Sequence, residues 1–515
     1  MSGKPILASD PHLPLMLPGI WYANDLRAPG FHVSGISIPG VPAVVIGHND
    51  NIAWGMTNLF FDVQDLYFEH GSEETVEAIR VKDQGVVRLQ TSRSRHGPLA
   101  AQVTLQGSVA GNPQAVMRTA VPLYLHWRAA DPDAVSFPLL ALNRATNWSE
   151  FREALRRWTT PAQTFIYADT AGNIGLQAAG SLPNRTTYAG DVPVDGTSEK
   201  FEWEGDIPFD SLPSVYNPDS GMVVSANENP FPADYPYRVN GVFAPPDRAL
   251  QIAARLKAKR KVSVGDMMGV QRDVYSAFHH FLAGQLVKAA APRAASDDRL
   301  QAAVGILKGW DGQMSAESAA GLITNLAWQN LRRQIVSRAS PGLADAYDQP
   351  IATAVAERLL RQRPKEWFPD FDALLLRALL DAWAAGDRLQ GSNPANWRLG
   401  QQQQLTLTSP VLGSIRAIQS GFRGWIQIGP EELAGSPTSV RQRTERSGTV
   451  IAPSARMVVD MGNLDGSVLT LATGQSGQTF SSHFKDQWPA YRDGVGLPMA
   501  WTRPNADQVL TLTPR

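Results

Sequence analysis

Few side chains in this sequence stand together in a way that could do chemistry, and each such group is short. Asp62 and Asp65 lie at i and i+3 in a loop-like stretch, and carboxylates so spaced can reach one hard cation. Asp10-Pro11-His12 ends the apolar run Ile6-Leu7-Ala8, and His12 on its own reads as a histidine capping a strand end. His279-His280 falls where the spacing is helical. Adjacent helical residues point about 100° apart and cannot share one metal, so a core or surface role is the better reading. Gly474-Gln475-Ser476-Gly477 only resembles a nucleophile elbow and reads as a glycine turn between strands. The chain has no G-x-S-x-G, no Walker loop, no H-E-x-x-H and no dinucleotide-binding glycine motif after a strand. It has no cysteine, which excludes disulfides, thiolate nucleophiles and zinc-thiolate sites.

Residues this scattered must be brought together by the fold. His32 to Ile38 alternates as a strand, Pro39-Gly40 turns, and Val41 to Gly47 reads as a second strand. His48-Asn49-Asp50-Asn51 reads as a polar turn and Ile52 to Thr57 as a third strand. Gly85 to Gln90 and Gln102 to Gln106 alternate likewise. A helix opens at Asn147-Trp148-Ser149-Glu150, with Asn147 or Ser149 as N-cap, and runs to about Trp158. Thr164 to Tyr167 and Ile174 to Ala178 flank the hairpin turn Asp169 to Asn173. Residues 181–245 show little periodicity and read as long ordered loops with one strand, Met222 to Ser225. Loops of that length are usually functional.

Residues 246–390 change to helical spacing: Arg248 to Lys257, Val264 to Leu286, Asp298 to Lys308, Ser315 to Arg338, Ile351 to Arg361 and Phe371 to Ala385. Strands return at Met457 to Met461 and Ser467 to Ala472. This order fits one α+β or layered α/β unit over residues 1–515, with the helical segment inserted between sheet-forming residues 1–245 and 400–515. Net charge is -1 over 515 residues, so nothing draws the whole chain to nucleic acid or an anionic membrane. Basic clusters such as Arg255, Lys257, Lys259 and Arg260 read as a solvated helix face or ion-pair partners. No stretch is apolar for long enough to span a membrane.

One pattern is distributed over the whole chain. It runs from Asp10-Pro11-His12 through Pro39-Gly40-Val41-Pro42, Gly47-His48-Asn49 and Ala53-Trp54-Gly55-Met56-Thr57-Asn58 to Asp62 and Asp65. It continues with Tyr167-Ala168-Asp169, Ala226-Asn227-Glu228-Asn229-Pro230, Pro246-Asp247-Arg248, and Gly474 to Gly477 with His483 and Asp486. In this order the chain closely resembles the β-subunit of the penicillin acylase family, N-terminal nucleophile amidohydrolases that include penicillin, cephalosporin and acyl-homoserine-lactone acylases.

The resemblance implies a four-layer αββα sandwich and a precursor that cuts itself to free a serine. The serine hydroxyl attacks an amide, and its own α-amino group acts as base through water. An α-amine with a pKa of about 7.7–8.0 suits that role. By the same resemblance the serine begins a strand ahead of the turn Ser2-Gly3-Lys4-Pro5, about two strand lengths of chain upstream. Ser2 itself would lie at the turn, at the far end of the hairpin from His12.

The resemblance also assigns roles. His12 stands beside the nucleophile, and Asp460 orients that histidine. The Asn227 amide and the Asn58 backbone N–H form the oxyanion hole, with Arg248 as support. Leu13, Ile46 and Met56 line an apolar acyl pocket. Asp62 and Asp65 match carboxylates that hold a structural Ca²⁺ in some members, with further ligands at the Gly190 carbonyl, near Asn240 and on an α-subunit. No other cofactor is implied. The implied partners are a small N-acyl amide substrate and an α-subunit from the same precursor, in a periplasmic or secreted setting. A second reading stays open: a catalytically inactive acyl-amide-binding member, or a fragment, of the same fold.

Overall fold

The computed structural model describes residues 3–71, 73–109, 112–134, 136, 138–342, 351–415, 421, 423–446, 448–502 and 509–511. Ser2 lies outside them. The first strands are β1 (Ile6–Ser9), β2 (His12–Pro14), β3 (Tyr22–Ala28), β4 (Phe31–Ser37), β5 (Ile46–Asn49), β6 (Ile52–Asn58) and β7 (Gln64–Phe68). A seven-stranded antiparallel sheet runs in the order Ser214–Tyr216, Ile174–Ala179, Gln163–Asp169, β6, β5, β4, β3. A four-stranded antiparallel sheet runs β1, Ala455–Asp460, Val468–Leu471, Leu497–Pro498.

The two sheets pack face to face, with β1 lying over β6 and over Gln163–Asp169. Gly55 permits that approach, because a Cβ there would come within 2.7 Å of the Ser9 Cβ. Helices α1 (Leu139–Arg144) and α2 (Trp148–Arg156) cover the outer face of the larger sheet. Phe151 of α2 meets Phe165 and Tyr167 there, at ring-centroid distances of 6.4 and 5.0 Å. Then come α3 (Asp247–Lys257) and α4 (Val264–Gln271), and α4 covers the outer face of the smaller sheet, where Gln271 Nε2 donates to the Met457 carbonyl at 3.2 Å. The layers are therefore helix, sheet, sheet, helix, as expected. The main core fills the space between them, with Leu7, Met457 and Val459 from the small sheet and Ala53, Trp54 and Phe165 from the large one.

The remaining helices, α5 (Ala277–Ala290), α6 (Asp298–Leu307), α7 (Ala319–Ala339), α8 (Ile351–Gln362) and α9 (Phe371–Gln390), enclose a separate apolar core around Phe278, Leu282, Leu322 and Leu375. They realise the inserted helical segment. The stretch Val264 to Leu286 is two helices rather than one. It breaks because Asp273 accepts the Tyr275 N–H and Ser276 accepts the His279 N–H, starting a new N-terminus. Arg255 and Lys259 pair with Asp273 and Asp266, as the ion-pair reading of that basic cluster anticipates.

Two strand expectations fail, the first because a side chain takes the place of ladder partners. Val44 is not in a strand, because Asn143 holds both its N–H (2.9 Å) and its carbonyl (2.8 Å). The strand starts at Ile46 and runs through His48 and Asn49, which are buried strand residues and not a turn. Asn49 accepts the N–H groups of Asn51 and Ile52 and so makes the turn that follows. Met222 to Ser225 forms no strand.

His279 is buried within α5, bonded through Nδ1 to Ser276 Oγ at 2.9 Å, which bears out a core role. Burial pushes its pKa down to about 3, whereas an unfolded histidine protonates near 6.5. Below pH 6.5 the unfolded chain therefore binds the extra proton, and stability falls as pH drops, by at most about 1.4 kcal/mol per unit. Above 6.5 this contribution is constant. Replacing His279 by glutamine is expected to flatten the decline in melting temperature between neutral and mildly acidic pH. An unchanged decline in thermal melts would assign the pH dependence elsewhere.

Candidate active site

The β1–β2 segment is bent, and a matching bend in its partner positions His12. β1 pairs with Ala455–Asp460 and β2 pairs with Thr449–Pro453, with His12 opposite Pro453. Between them Ser454 donates both its N–H (2.8 Å) and its Oγ–H (2.7 Å) to the Pro11 carbonyl, and Trp21 Nε1 donates to that Oγ at 2.8 Å. The side chain of His12 is thereby turned toward Asp10. Its Nε2 lies 3.5 Å from Asp10 Oδ2, and both atoms are buried without a hydrogen-bond partner among the described residues. Buried polar atoms are nearly always satisfied, so an adjacent pair left open marks a place built to receive a further polar group.

The oxyanion-hole residues do come together. Asn58 ends β6, and Gln163 Nε2 fixes its side chain through Oδ1 at 2.8 Å. N–H directions alternate along a strand, and the next one, that of Leu59, bonds to Ala162. The Asn58 N–H therefore points away from that neighbouring strand. Asn227 Nδ2 donates to the Asn58 carbonyl at 3.0 Å. A contact between Thr57 Oγ1 and Ser225 Oγ, 2.5 Å, ties the same two segments one step earlier. Asn227 has φ of 70°, a left-handed conformation that asparagine tolerates better than most residues.

Arg248, in the first turn of α3, holds that conformation. Its Nη2 donates to Asn227 Oδ1 at 2.8 Å and to the Ala226 carbonyl. The Ala226 N–H donates to the Glu228 carboxylate at 2.6 Å. Arg248 is buried, which lowers its pKa. The fields of Glu228, Asp10 and Asp247 oppose that shift. Asp10 thus belongs to both halves of the site, beside His12 and within the field of Arg248.

Asp460 does not join this group. It pairs with Ile6, at the opposite end of β1 from His12, and its carboxylate accepts the Gly462 N–H at 2.9 Å. The carboxylate at His12 is Asp10, to which the resemblance assigns no role. Of the three apolar pocket positions, Leu13 and Met56 are half-buried against the main core. Ile46 is 1% exposed inside it and presents no surface. Asp62 and Asp65 lie near the start of β7, with a guanidinium set against them. Glu228 stands in the sequence pattern without a role, and Gln163 and Ser225 give no signal in it, since single polar residues in loops and strands carry no periodicity.

A family model described as penicillin amidase matches residues 1–508. The chain belongs to the penicillin amidase family. It is similar to an acyl-homoserine lactone acylase QuiP of Pseudomonas aeruginosa, 26% identical over 100% of this chain and 67% of the relative. It is likewise similar to the penicillin acylase 2 proenzyme of a Pseudomonas species, 27% identical over 99% of this chain and 66% of the relative. The chain thus spans about two thirds of the length of these curated relatives. A thermostable penicillin G acylase from Alcaligenes faecalis superposes with a TM-score of 0.71, covering 99% of this chain and 97% of that one at 22% identity. That likeness shows the sandwich to be of the penicillin acylase type.

Proposed function

We propose that this chain forms the body of an acylase that hydrolyses N-acyl amides with apolar acyl groups through a serine nucleophile and an acyl-enzyme. Acyl-homoserine lactones and penicillin-like amides are the substrate classes suggested by the names of its relatives. The observation that carries the reading is the Asn58–Asn227–Arg248 arrangement, which holds a side-chain amide and a backbone N–H at the end of one strand.

The serine lies on a strand laid along the outer edge of β1. That edge has no partner among the described residues, although Leu7 and Ser9 are buried. The turn at Gly3, with φ of 75°, would join the two strands. The strand would bring the serine toward His12 and Asp10, whose open Nε2 and Oδ2 would hold a hydroxyl or water. As the serine oxygen bonds to the amide carbon, the carbonyl electrons move to oxygen, and the Asn58 N–H and Asn227 amide stabilise the charge. The hydroxyl proton passes through water to the serine's own α-amino group; as the carbonyl re-forms the C–N bond breaks, the leaving amine takes up that proton, and water then cleaves the acyl–oxygen bond, freeing the acid and restoring the hydroxyl. An α-subunit cut from the same precursor completes the acyl pocket beside Leu13 and Met56.

The test uses the protein carrying its serine strand and partner subunit. Incubation with a long-chain or phenylacetyl amide should release amine and give a stoichiometric acyl mass shift on that serine. Binding without either product would instead favour an acyl-amide-binding role.

A further inference from the structure

By resemblance the carboxylates Asp62 and Asp65 stand at a calcium position, and their surroundings can be compared with what that ion requires. The surroundings do not fit it. Arg185 points into the cradle and is buried with Asp65, their side chains 2% and 1% exposed. Its Nε donates to Asp65 Oδ2 at 2.8 Å, its Nη1 to the Asp62 carbonyl at 3.0 Å, and its Nη2 faces the Gln64 carbonyl at 3.4 Å. One guanidinium thus meets three oxygens from three neighbouring residues of the cradle.

Most of the carboxylate oxygens have further donors. Asp65 Oδ2 also accepts Tyr188 Oη–H at 2.8 Å and the Trp203 Nε1–H. Asp62 Oδ1 accepts the Gln64 N–H at 3.0 Å, and Asp62 Oδ2 faces the Asn240 amide nitrogen at 3.2 Å. Gly190 would clash if it carried a side chain, its Cβ falling 2.6 Å from Arg185 Nε. Among the described residues Asp65 Oδ1 has no donor. Calcium needs six to eight oxygens at about 2.3–2.6 Å. An ion bound at Oδ1 would stand close to a buried guanidinium, like charge against like charge. Among the described residues no group of three or more acidic or histidine side chains is arranged to hold a metal.

We propose that Arg185 is the resident cation of this cradle, and that the protein is stable without calcium. The guanidinium supplies directional N–H donors where a metal would supply charge alone. It also ties the Pro183–Tyr188 loop to β7, with Trp203 packed 5.6 Å from its Cζ. This inference does not depend on the catalytic reading and is tested without activity.

The purified protein should show the same melting temperature in EDTA and in millimolar CaCl₂, and bound calcium by elemental analysis should be well below one per chain. Stoichiometric calcium, or a melting temperature lowered by the chelator, would overturn the proposal. Arg185→Ala is expected to melt lower and to be raised again by calcium but not by magnesium, whose small octahedral shell suits the cradle poorly. A folded Arg185→Ala that ignores calcium would show that the guanidinium does not hold a cation's place. If that variant does not fold, the comparison of the unmodified protein in chelator and in calcium still decides.

Discussion

Replacing Asn227 by alanine is expected to lower kcat for amide hydrolysis about 10²–10³-fold while KM stays nearly constant. One N–H of its amide donates to the Asn58 carbonyl, which leaves the other free for an oxyanion. The carbonyl of bound substrate carries little charge, so the lost bond matters in the transition state and hardly in the ground state. The substitution has a second effect that must be separated. At φ of 70° alanine is strained by about 1–2 kcal/mol, so Asn227→Ala should also melt lower. Asn227→Gly removes the same donor without that strain. The two variants should therefore share the kcat loss and differ in melting temperature. If both keep kcat within a few fold of the parent, Asn227 is a loop residue and the oxyanion is held elsewhere.

The layers of this fold were legible because they rest on patterns that local chemistry enforces. Strands form at Phe31–Ser37 and Ile52–Asn58, close to where the local pattern puts them, and the cap at Asn147 is kept. What was not legible was long-range substitution of one partner for another. Nothing near Val44 in sequence announces that Asn143 will occupy its backbone groups. Nothing near Asp62 announces Arg185, more than a hundred residues on in a loop without periodicity. The site shows the same division. Asn58, Asn227 and Arg248 were placed together by resemblance, and the structure joins them directly. The resemblance assigns Asp460 to His12, whereas strand register sends it to the other end of β1. A register is set by turns and by the facing sheet, and neither is visible in the residues around Asp460.

Replacing Arg248 by methionine is expected to reduce kcat to about the level of the Asn227 variants and to destabilise the fold by about 3–5 kcal/mol. Both effects follow from one geometry. The guanidinium is buried, and its Nη2 donates to Asn227 Oδ1 and the Ala226 carbonyl. Methionine fills similar space but leaves both acceptors unpaired, and Asp10 and Glu228 lose the positive charge whose field they share. Asn227 then loses the contact that aims its amide. Arg248 acts through Asn227 as a positioning residue, so the two effects on kcat should not add. The Asn227→Gly/Arg248→Met double variant should turn over no more slowly than Asn227→Gly alone, and because the two side chains share a hydrogen bond the stability losses should also be less than additive. Arg248→Lys, which keeps the charge but offers one ammonium in place of a planar fork, should fall between parent and methionine variant in both measurements. It remains informative if the methionine variant does not fold. Multiplying losses in kcat would mean that Arg248 meets the reacting groups itself, through the field it shares with Asp10 beside His12.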